Sequence, residues 1–559
     1  MTPSRDADLW WKNAVFYCLD VETFLDSDGD GVGDLQGLQR RIDHIAGIGV
    51  TCLWLMPLYP SPNRDDGYDV TDFYAVDQRL GSLGDFVDVI RAAKHRGMRV
   101  VIDLVVNHTS DRHPWFRDAR SSRDSRRRDF YVWTDDPPPT RPDELVFPDA
   151  EDSVWAYDER TGQHYLHHFY SHQPDLNIAN PEVRDEIARI AGFWLQLGVD
   201  GFRVDAVPYL IQPDVGPDGT DGALDPHRLL KDLRSTVGRR RGDAVMLGEV
   251  NLPHERLVRY FGDEPGDELQ LAFDFTVMQH CHLAFARGDA TTLAEALRVR
   301  PAIPSACQWA NFLRNHDELT LDQLSDAERE EVFAAFGPDE DMQLFGRGLR
   351  RRLPAMFAGD AARVRMAYSL LFSLPGAPVL FYGEEIGMGE NLEVPGRRSV
   401  RTPMQWTSEP SAGFSTARPS KLRRRPPSGR FAPLAVNVEA QRRDPDSQLN
   451  WTERVIRRRR ELPELGWGQP VVIDGTPPSV LAHIVTGDTR TLCFVHQLAP
   501  EAVDVTVHLP DELRGCPMVD LVDGLADDRV GDDGDVQLIL QPYAHHWFAI
   551  DHDRSRGRR

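Results

Sequence analysis

The sequence predicts an α/β fold, a (β/α)8 barrel with an inserted B domain after the third strand and a C-terminal antiparallel β-sandwich domain. Eight short apolar runs alternate with amphipathic helical patterns up to residue 387. Runs this apolar are typical of parallel strands that are covered on both faces. After about residue 466 short alternating strands follow one another without helices between them, which is typical of an antiparallel domain.

The eight strand-like runs are AVFYCLD (14–20), CLWLMP (52–57), RVVIDLVVN (99–107), GFRVDAV (201–207), AVMLGEV (244–250), LQLAFDFTV (269–277), WANFLRNHD (309–317) and PVLFYGEEIG (378–387). Amphipathic stretches such as PEVRDEIARIAGFWLQLG separate them. For that stretch, Asn180 is the predicted N-cap, Pro181 the first helical residue and Gly198 the end.

The spacing of the runs gives the domain boundaries. About 90 residues, rich in Pro, Asp, Arg and aromatic residues, separate the third and fourth runs, which is more than a crossover needs. An inserted domain is therefore predicted over 107–174. The barrel then occupies 8–106 and 175–465, and the C-terminal domain occupies 466–552. Within the barrel, the Pro- and Arg-rich stretch 418–446 predicts an irregular excursion.

Composition restricts the partners. The net charge of −24 argues against nucleic acid and anionic membranes, but it does not oppose a neutral ligand. No run approaches the ~18 apolar residues of a membrane helix. The start of the chain lacks a basic segment followed by an apolar one, and six scattered cysteines form no CxxC pair, so we expect a cytoplasmic protein without a disulfide framework. The sequence leaves open whether the chain forms a homo-oligomer.

Polar residues close several of the apolar runs, at the end of the barrel where active sites lie. Burying one such group without a partner is expensive, so this many on separate strands indicate an active site rather than a core. The residues are Asn107 and His108 after the third run, Arg203 and Asp205 in the fourth, Glu249 in the fifth, and His316 and Asp317 after the seventh.

The segments DLVVNH, GFRVDAV, GEV and FLRNHDE resemble, in order, the four strand-end motifs of glycoside hydrolase family 13, the α-amylase family. The resemblance runs from about residue 10 to residue 550. It implies the barrel, the inserted domain and the C-terminal β domain, together with retaining chemistry on α-glucosides through a covalent glucosyl–Asp intermediate. It also implies roles for six residues: Asp205 is the nucleophile, Glu249 the general acid/base, Asp317 the transition-state stabiliser, Arg203 the group that orients Asp205, and His108 and His316 hold the glucosyl ring.

Three further segments match the same family. In DDGYD, the resemblance makes Asp65 a ligand of a sugar hydroxyl and Tyr68 a stacking platform. HHFYSHQPDLN and RTPMQW add Phe169, Gln173 and Arg401 as substrate-binding residues.

The chemistry of α-glucoside cleavage is consistent with these roles. The transition state resembles an oxocarbenium ion, and a retaining enzyme needs one ionised carboxylate and one protonated carboxylic acid on either side of the bond. We expect neighbouring carboxylates and partial burial to raise the pKa of Glu249. Arg203 lies two residues before Asp205 on the same strand face, where it favours the ionised carboxylate.

The loop DSDGDGVGD (26–34) predicts a structural Ca²⁺ site. Asp26, Asp28, Asp30 and Asp34 present oxygens at alternate positions, and Val32 adds a carbonyl, a donor set that suits a hard cation. The alternative is a solvated acidic turn, but similar loops bind calcium in many members of the family. Family resemblance alone suggests a second cation site at Asn107, Asp175, Tyr209 and Leu210. No organic cofactor is predicted.

Within the family, FLRNHDELTLD, SLPGAPVLFYGEEIGMGE and VRTPMQW resemble the members that interconvert maltose and trehalose by intramolecular transglucosylation. That branch takes a small α-glucoside, a disaccharide, as substrate. The chain departs from it in LGEVNLPHE, at His168 where arginine is usual, and at Gln212 in the stretch after PYL. These departures concern the acceptor, so a hydrolytic α-glucosidase or transglucosidase that acts on another small α-glucoside stays the alternative.

Overall fold

The structure is a computed structural model that describes residues 9–141, 144–210, 226–522 and 528–552. Gln212 lies outside the described residues. Eight parallel strands form its centre: β1 (Phe16–Leu19), β2 (Cys52–Leu55), β3 (Arg99–Leu104), β4 (Gly201–Val204), β5 (Val245–Gly248), β6 (Leu271–Phe273), β7 (Gln308–Asn311) and β8 (Ala377–Phe381).

The eight strands close into a barrel in the order β1-β8-β7-β6-β5-β4-β3-β2. Closure comes from β1, which pairs in parallel with both β2 and β8; Phe16 is opposite Cys52 on one side and Val379 on the other. Each predicted run overlaps one barrel strand, although Gln308–Asn311 and Ala377–Phe381 begin one residue before their runs, so the predicted fold class is confirmed. Glycine is required at the start of β4, because a Cβ on Gly201 would lie 2.1 Å from the carbonyl oxygen of Val245.

Helices follow most of the barrel strands. The long helix after the inserted segment begins and ends as predicted: the Asn180 side chain accepts from the Glu182 N–H, Pro181 opens the helix, and Gly198 ends it at a φ of 114°. The α-helices are Val21–Phe24, Leu35–Gly47, Leu83–His95, Pro114–Ala119, Pro181–Leu197, Pro226–Arg240, His254–Leu257, Phe275–Arg287, Thr291–Arg298, Asp326–Phe336, Leu353–Met356, Ala361–Ser373, Val438–Arg443, Gln448–Arg460 and Glu464–Trp467.

Two small sheets lie beyond the carboxyl ends of barrel strands. The segment between β3 and β4 contains a three-stranded antiparallel sheet, with strands Trp133–Thr134, Trp155–Asp158 and Gln163–Leu166. After β7, Leu319–Thr320, Gln343–Leu344 and Gly348–Leu349 form another. Both follow the end of the barrel at which the polar strand-end residues lie, so their loops can line the site.

The C-terminal part of the chain is antiparallel, as predicted. One sheet has six strands: Val471–Val472, Val480–Thr486, Arg490–Gln497, His545–Asp551, Pro517–Asp520 and Asp528–Arg529. The second pairs Val503–His508 with Asp535–Leu540. The domain boundaries stay predictions, although each sheet falls within its predicted range. No α-helix in the described ranges has the length and apolarity needed to cross a membrane.

Candidate active site

The floor of the site is the group formed by the Arg203 guanidinium and the carboxylates of Asp103, Asp205 and Glu249. Arg203, in β4, is almost fully buried and bridges three carboxylates from adjacent strands. It donates to Asp103 of β3 (2.6 Å), to Asp205 directly after β4, and to Glu249 directly after β5 (2.6 Å). Its charge compensates for the burial of these acids, which would otherwise be very costly. The predicted nucleophile and acid/base therefore share one hydrogen-bond donor.

The two central carboxylates have raised pKa values. Burial raises the pKa of Asp205 to about 6, because the opposing charge of Arg203 is offset by Asp103 and Asp317. Burial also raises the pKa of Glu249 to about 7, with Asp205 and Asp317 adding to the effect and Arg203 opposing it. The predicted rise for Glu249 is confirmed in direction and cause. At pH values between the two, an ionised Asp205 can coexist with a protonated Glu249.

Asp317 is ionised, in contrast to that pair. Its Oδ1 accepts from Arg397 (2.7 Å) and from Arg401 (2.9 Å). Burial would raise the pKa of Asp317, yet the pKa lies well below its usual range because His316, Arg397 and Arg401 stabilise the anion. The three carboxylates remain partly accessible: the side chain of Glu249 is 25% exposed, that of Asp317 16% and that of Asp205 9%. A small ligand can therefore reach them.

An aromatic and imidazole wall connects these groups. Tyr68 lies parallel to His316, and its hydroxyl is 2.6 Å from His316 Nε2. The same nitrogen is 3.1 Å from Asp317 Oδ2, and the indole of Trp54 packs edge-on against the imidazole. Burial lowers the pKa of His316 well below its usual value, so the ring is neutral. His108 is buried on the inserted-segment side, and its Nε2 has no hydrogen-bond partner among the described residues, so it can bind a ligand.

The DDGYD loop contributes a further carboxylate. Asp65 accepts from Gln173 Nε2 (3.0 Å) through one oxygen and from Arg397 (2.9 Å) through the other. Arg397 thus bridges Asp65 and Asp317, from opposite sides of the site. Gln173 itself is fully buried, and its Oε1 accepts from the Tyr170 N–H. The Asp65–Arg397 contact brings together residues that are more than 300 positions apart.

Arg401, predicted as a sugar ligand, lies behind the carboxylates. It is 1% exposed, and its hydrogen bonds go to protein groups: Asp317, Asp66 Oδ2 (2.6 Å) and the carbonyl of His316 (2.7 Å). Its sugar-binding role stays a prediction, but the geometry favours a role in orienting Asp317.

An apolar cluster lies against this polar floor. We call it the aromatic cluster; it comprises Val146, Phe147 and Phe345, with Phe169, Tyr170, Tyr209 and Leu344 packed around them. Phe147 comes from the inserted segment and Phe345 from the loop between the strands Gln343–Leu344 and Gly348–Leu349; their ring centroids are 4.8 Å apart. Arg397 lies 5.0 Å from the centroid of the Phe147 ring, and Phe169 lies 5.2 Å from that of His108. The cluster therefore borders both sides of the predicted glucosyl site.

Two polar contacts fasten the cluster across these loops. The Phe345 N–H donates to Asp149 Oδ2 (3.1 Å), and Arg347 Nη2 donates to the Val146 carbonyl (2.6 Å). Phe345 adopts a φ of 58°, an uncommon and costly conformation for an aromatic residue. Packing and hydrogen bonding on both sides therefore hold the loop against the inserted segment.

The acidic loop after β1 brings three carboxylates together. Oxygens of Asp26, Asp28 and Asp34 all lie within 4.8 Å of one another, whereas Asp30 is outside this group. The pKa of Asp28 is raised: the Asp30 N–H lowers it, but burial and the neighbouring acids outweigh this. Crowded hard oxygens of like charge fit a cation such as Ca²⁺. Asp34 also caps the next helix by accepting from the Gly37 N–H.

The residues of the predicted second cation site form hydrogen bonds among themselves and with His168, and the site stays a prediction. Asp175 Oδ1 accepts from Asn107 Nδ2 (3.4 Å), and Asp175 Oδ2 pairs with His168 Nδ1. Burial lowers the pKa of His168, but Asp175 raises it further, so the net direction is up. His168 thus pairs with the second oxygen of this carboxylate. Tyr209 packs on His168, and Leu210 is buried at the end of the described segment.

Sequence reasoning missed two residues that the site uses. Asp103 lies within the quoted DLVVNH segment, four residues before Asn107 and on the same strand face, so alternation could have identified it. Arg397 lies four residues before Arg401 in the Arg-rich stretch GRRSVR, with no local pattern to distinguish it from its neighbour Arg398.

Comparisons with known proteins place the chain among proteins of one family. The chain matches the family described as "Alpha amylase, catalytic domain" over residues 21–334 and 349–468. It is 39% identical to a trehalose synthase of Pimelobacter sp. (strain R48), covering 98% of this chain and 97% of that protein. It is 42% identical to a trehalose synthase/amylase of Mycobacterium tuberculosis (strain CDC 1551 / Oshkosh), covering 90% and 86%. A solved mutant of a trehalulose synthase, in complex with Tris, superposes with a TM-score of 0.77 at 28% identity, covering 97% and 99%.

Proposed function

The chain belongs to the α-amylase family, and we propose that it interconverts maltose and trehalose by intramolecular glucosyl transfer. It is an enzyme that acts on α-glucosides. The observation that carries the proposal is the bridge from Arg203 to Asp205 and Glu249, with the ionised Asp317 held nearby by Arg397. Two relatives named for trehalose synthesis, each aligned over most of this chain, support the choice of substrate.

In the first half-reaction, the Asp205 carboxylate attacks the anomeric carbon of the non-reducing glucosyl unit of maltose. Glu249 donates its proton to the glycosidic oxygen, so the C–O bond breaks and glucose leaves with that proton. The products are a glucosyl ester of Asp205 and an ionised Glu249. Asp317 stabilises the positive charge that develops at the anomeric centre, because its two arginine partners keep it ionised.

In the second half-reaction, the released glucose turns and attacks through its anomeric hydroxyl. Glu249 accepts the hydroxyl proton, the ester bond to Asp205 breaks, and an α,α-1,1 linkage forms. Both catalytic carboxyl groups return to their starting states, so the cycle balances without a cofactor. Tyr68 and His108 would contact the glucosyl ring throughout, with Asp65 accepting from a hydroxyl.

The isomerase interpretation requires that water be kept from the ester. The aromatic cluster supports it, because the Phe147–Phe345 contact joins the inserted segment to the loop after β7 beside Arg397. An apolar contact at this position hinders water and retains the released glucose. A hydrolase would form the same ester but release it to water, so the two functions differ in this half of the site.

We also propose that the acidic loop binds Ca²⁺ as a structural ion, through Asp26, Asp28 and Asp34, with Asp30 and the Val32 carbonyl as further donors. The ion would neutralise the acidic cluster and stabilise the loop between β1 and the helix Leu35–Gly47. The second cation site carries no step of the mechanism. Cytoplasmic location and homo-oligomer formation stay predictions.

The decisive experiment follows products from maltose by NMR, with purified full-length protein. Trehalose as the main product, together with maltose when the reaction starts from trehalose, supports the proposal. Glucose alone would assign the hydrolytic α-glucosidase instead. An Asp205→Asn variant, measured beside wild type, should form neither product if Asp205 is the nucleophile.

A further inference from the structure

Arg424 connects the Pro- and Arg-rich excursion to the back of the active site. Its side chain is 6% exposed, although its neighbours in sequence are largely polar and accessible. Nη2 donates to Asp66 Oδ1 (2.7 Å), and Nη1 donates to the Arg401 carbonyl (3.1 Å) and to Asp20 Oδ2 (3.3 Å). Nη2 also pairs with Glu22 Oε1 (3.4 Å), so this buried arginine has four partners and is an anchoring group rather than a solvated one.

Asp66 is the carboxylate on which this anchor acts. It lies between Asp65 and Tyr68 at a φ of 48°, and it accepts from Arg401 (2.6 Å) and Arg424. Burial would raise the pKa of Asp66, but these arginines and Arg398 hold it well below its usual range. The arginines therefore fix the backbone of the DDGYD loop in an uncommon conformation.

Arg401 extends the contacts to the reacting groups. Through Nη2 it donates to Asp317 Oδ1 (2.9 Å), and through Nε to the His316 carbonyl (2.7 Å). An unbroken path of hydrogen bonds thus runs from Arg424 through Asp66 and Arg401 to Asp317. Arg424, Asp66 and Arg401 are buried, and charge-assisted hydrogen bonds are strong and geometrically specific in such surroundings.

The excursion itself is fixed independently of this path. Arg423 donates its backbone N–H to the Gly31 carbonyl (3.2 Å), and Ser415 Oγ donates to Asp26 Oδ2 (2.5 Å). Gly31 has a φ of 98°, and a Cβ there would lie 2.3 Å from the Lys421 carbonyl oxygen. The backbone before Arg424 is therefore packed directly on the acidic loop, which delivers the guanidinium to Asp66.

We propose that Arg424 is a positioning residue of the glucosyl subsite, which acts through Asp66 and Arg401 on the orientation of Asp317 and His316. This inference rests on the proposed glucosyl transfer at the same site. It assigns a function to a segment that sequence analysis treated as an irregular excursion. Arg424 does not touch the reacting atoms, so it acts on substrate only through the other two residues.

The test compares Arg424→Gln, Arg424→Lys and Asp66→Asn with wild type. For each we would measure kcat and KM on maltose, calorimetric binding of a glucose-shaped iminosugar, and Tm. We expect Arg424→Gln to lower kcat/KM and iminosugar affinity by about tenfold to a hundredfold, the loss of one buried charge-assisted bond. Arg424→Lys should recover part of the loss, and the Arg424→Gln/Asp66→Asn double variant should fall short of the summed effects.

Arg425→Gln is the matched control. Its side chain is exposed, next to Arg424 in sequence, so both kinetics and binding should match wild type. A lower Tm for Arg424→Gln with wild-type kcat/KM and iminosugar affinity would overturn the inference and leave a purely structural residue. If Arg424→Gln does not fold, Arg424→Lys and Asp66→Asn decide by the same readouts.

Failure of the proposed function is distinguishable from failure of this inference. If wild type forms no product from maltose but binds the iminosugar, the proposed function fails, and equal iminosugar affinity in wild type and Arg424→Gln then overturns the positioning role as well. If Arg424→Gln binds the iminosugar more weakly than wild type, the positioning role of Arg424 stands.

Discussion

The floor of the site and the aromatic cluster are held together by different kinds of contact. The floor, around Arg203, consists of charged groups at the ends of barrel strands, each joined to the next by short hydrogen bonds. The aromatic cluster consists of apolar rings on two long loops, and its core contact is the Phe147–Phe345 pair. Electrostatic contacts on a rigid scaffold set the chemistry at the anomeric carbon, whereas contacts between loops control what reaches it.

The difference teaches where changes in specificity can arise. A change in the floor alters the charge balance of several buried carboxylates at once, so it removes the reaction. A change in the cluster alters the contact between two loops, so it redirects the glucosyl ester between glucose and water. The predictions below test this division.

The largest expected effect is on the floor. Asp205→Asn keeps the shape of the side chain but removes the nucleophile, so kcat on maltose should fall by about ten-thousand-fold or more. Steady-state kinetics with product NMR would measure it. Glu249→Gln should also lower kcat on maltose severely. With activated substrates, ester formation should recover, because their good leaving groups need no proton from Glu249. Appreciable residual turnover in Asp205→Asn would remove the nucleophile assignment.

A smaller effect is expected at the cluster. Phe345→Ala removes the ring that meets Phe147, a pair worth about 0.5–1.5 kcal/mol, so the ratio of free glucose to isomerised product should rise about twofold to tenfold. Total turnover of maltose should change less than this ratio. Tyr157→Ala, on an exposed ring (58% accessible) of the inserted sheet, is the control and should leave the ratio unchanged. A Phe345→Ala variant with the wild-type ratio would show that the cluster does not exclude water.

The same division describes what the sequence could predict. Asp205, Glu249 and Asp317 close apolar runs, and the spacing of runs in a barrel places their ends together, so the floor was predictable from local pattern. Phe147 and Phe345 lie about 200 positions apart in segments without a regular period. Their meeting depends on loop conformations, including the left-handed backbone at Phe345, that no periodicity encodes.

The roles of Arg397 and Arg424 could not be predicted from the sequence for a related reason. Each lies close to other arginines in the sequence, and only the tertiary structure determines which carboxylate each guanidinium reaches. Asp175 is marked as a cation ligand by the family resemblance alone, and in the structure its carboxylate pairs with His168. Its neighbours in space, not its motif, determine what it can bind.

The pH dependence of kcat/KM should reflect the protonation states of Asp205 and Glu249. Asp205, with a pKa of about 6, must lose its proton to act, and Glu249, with a pKa of about 7, must keep its own. We therefore expect kcat/KM to rise as the pH increases through about 6 and to fall above about 7, a narrow bell. The two limbs belong to the coupled pair rather than to either residue alone. A profile that stays flat on the alkaline side would contradict the assignment of Glu249 as the acid.

The smallest expected effect concerns the acidic loop, which lies outside the floor and the aromatic cluster. Removing Ca²⁺ with a chelator should lower Tm by about 2–5 °C, because an ion that binds only the folded loop stabilises it by mass action. Asp28→Asn should lower Tm similarly and make it insensitive to chelation. Asp124→Asn, at an exposed aspartate of the inserted segment, should keep the wild-type response. Chelation that lowers activity without lowering Tm would contradict a structural ion and would extend the floor of the site to the acidic loop, since the excursion that delivers Arg424 is packed on it.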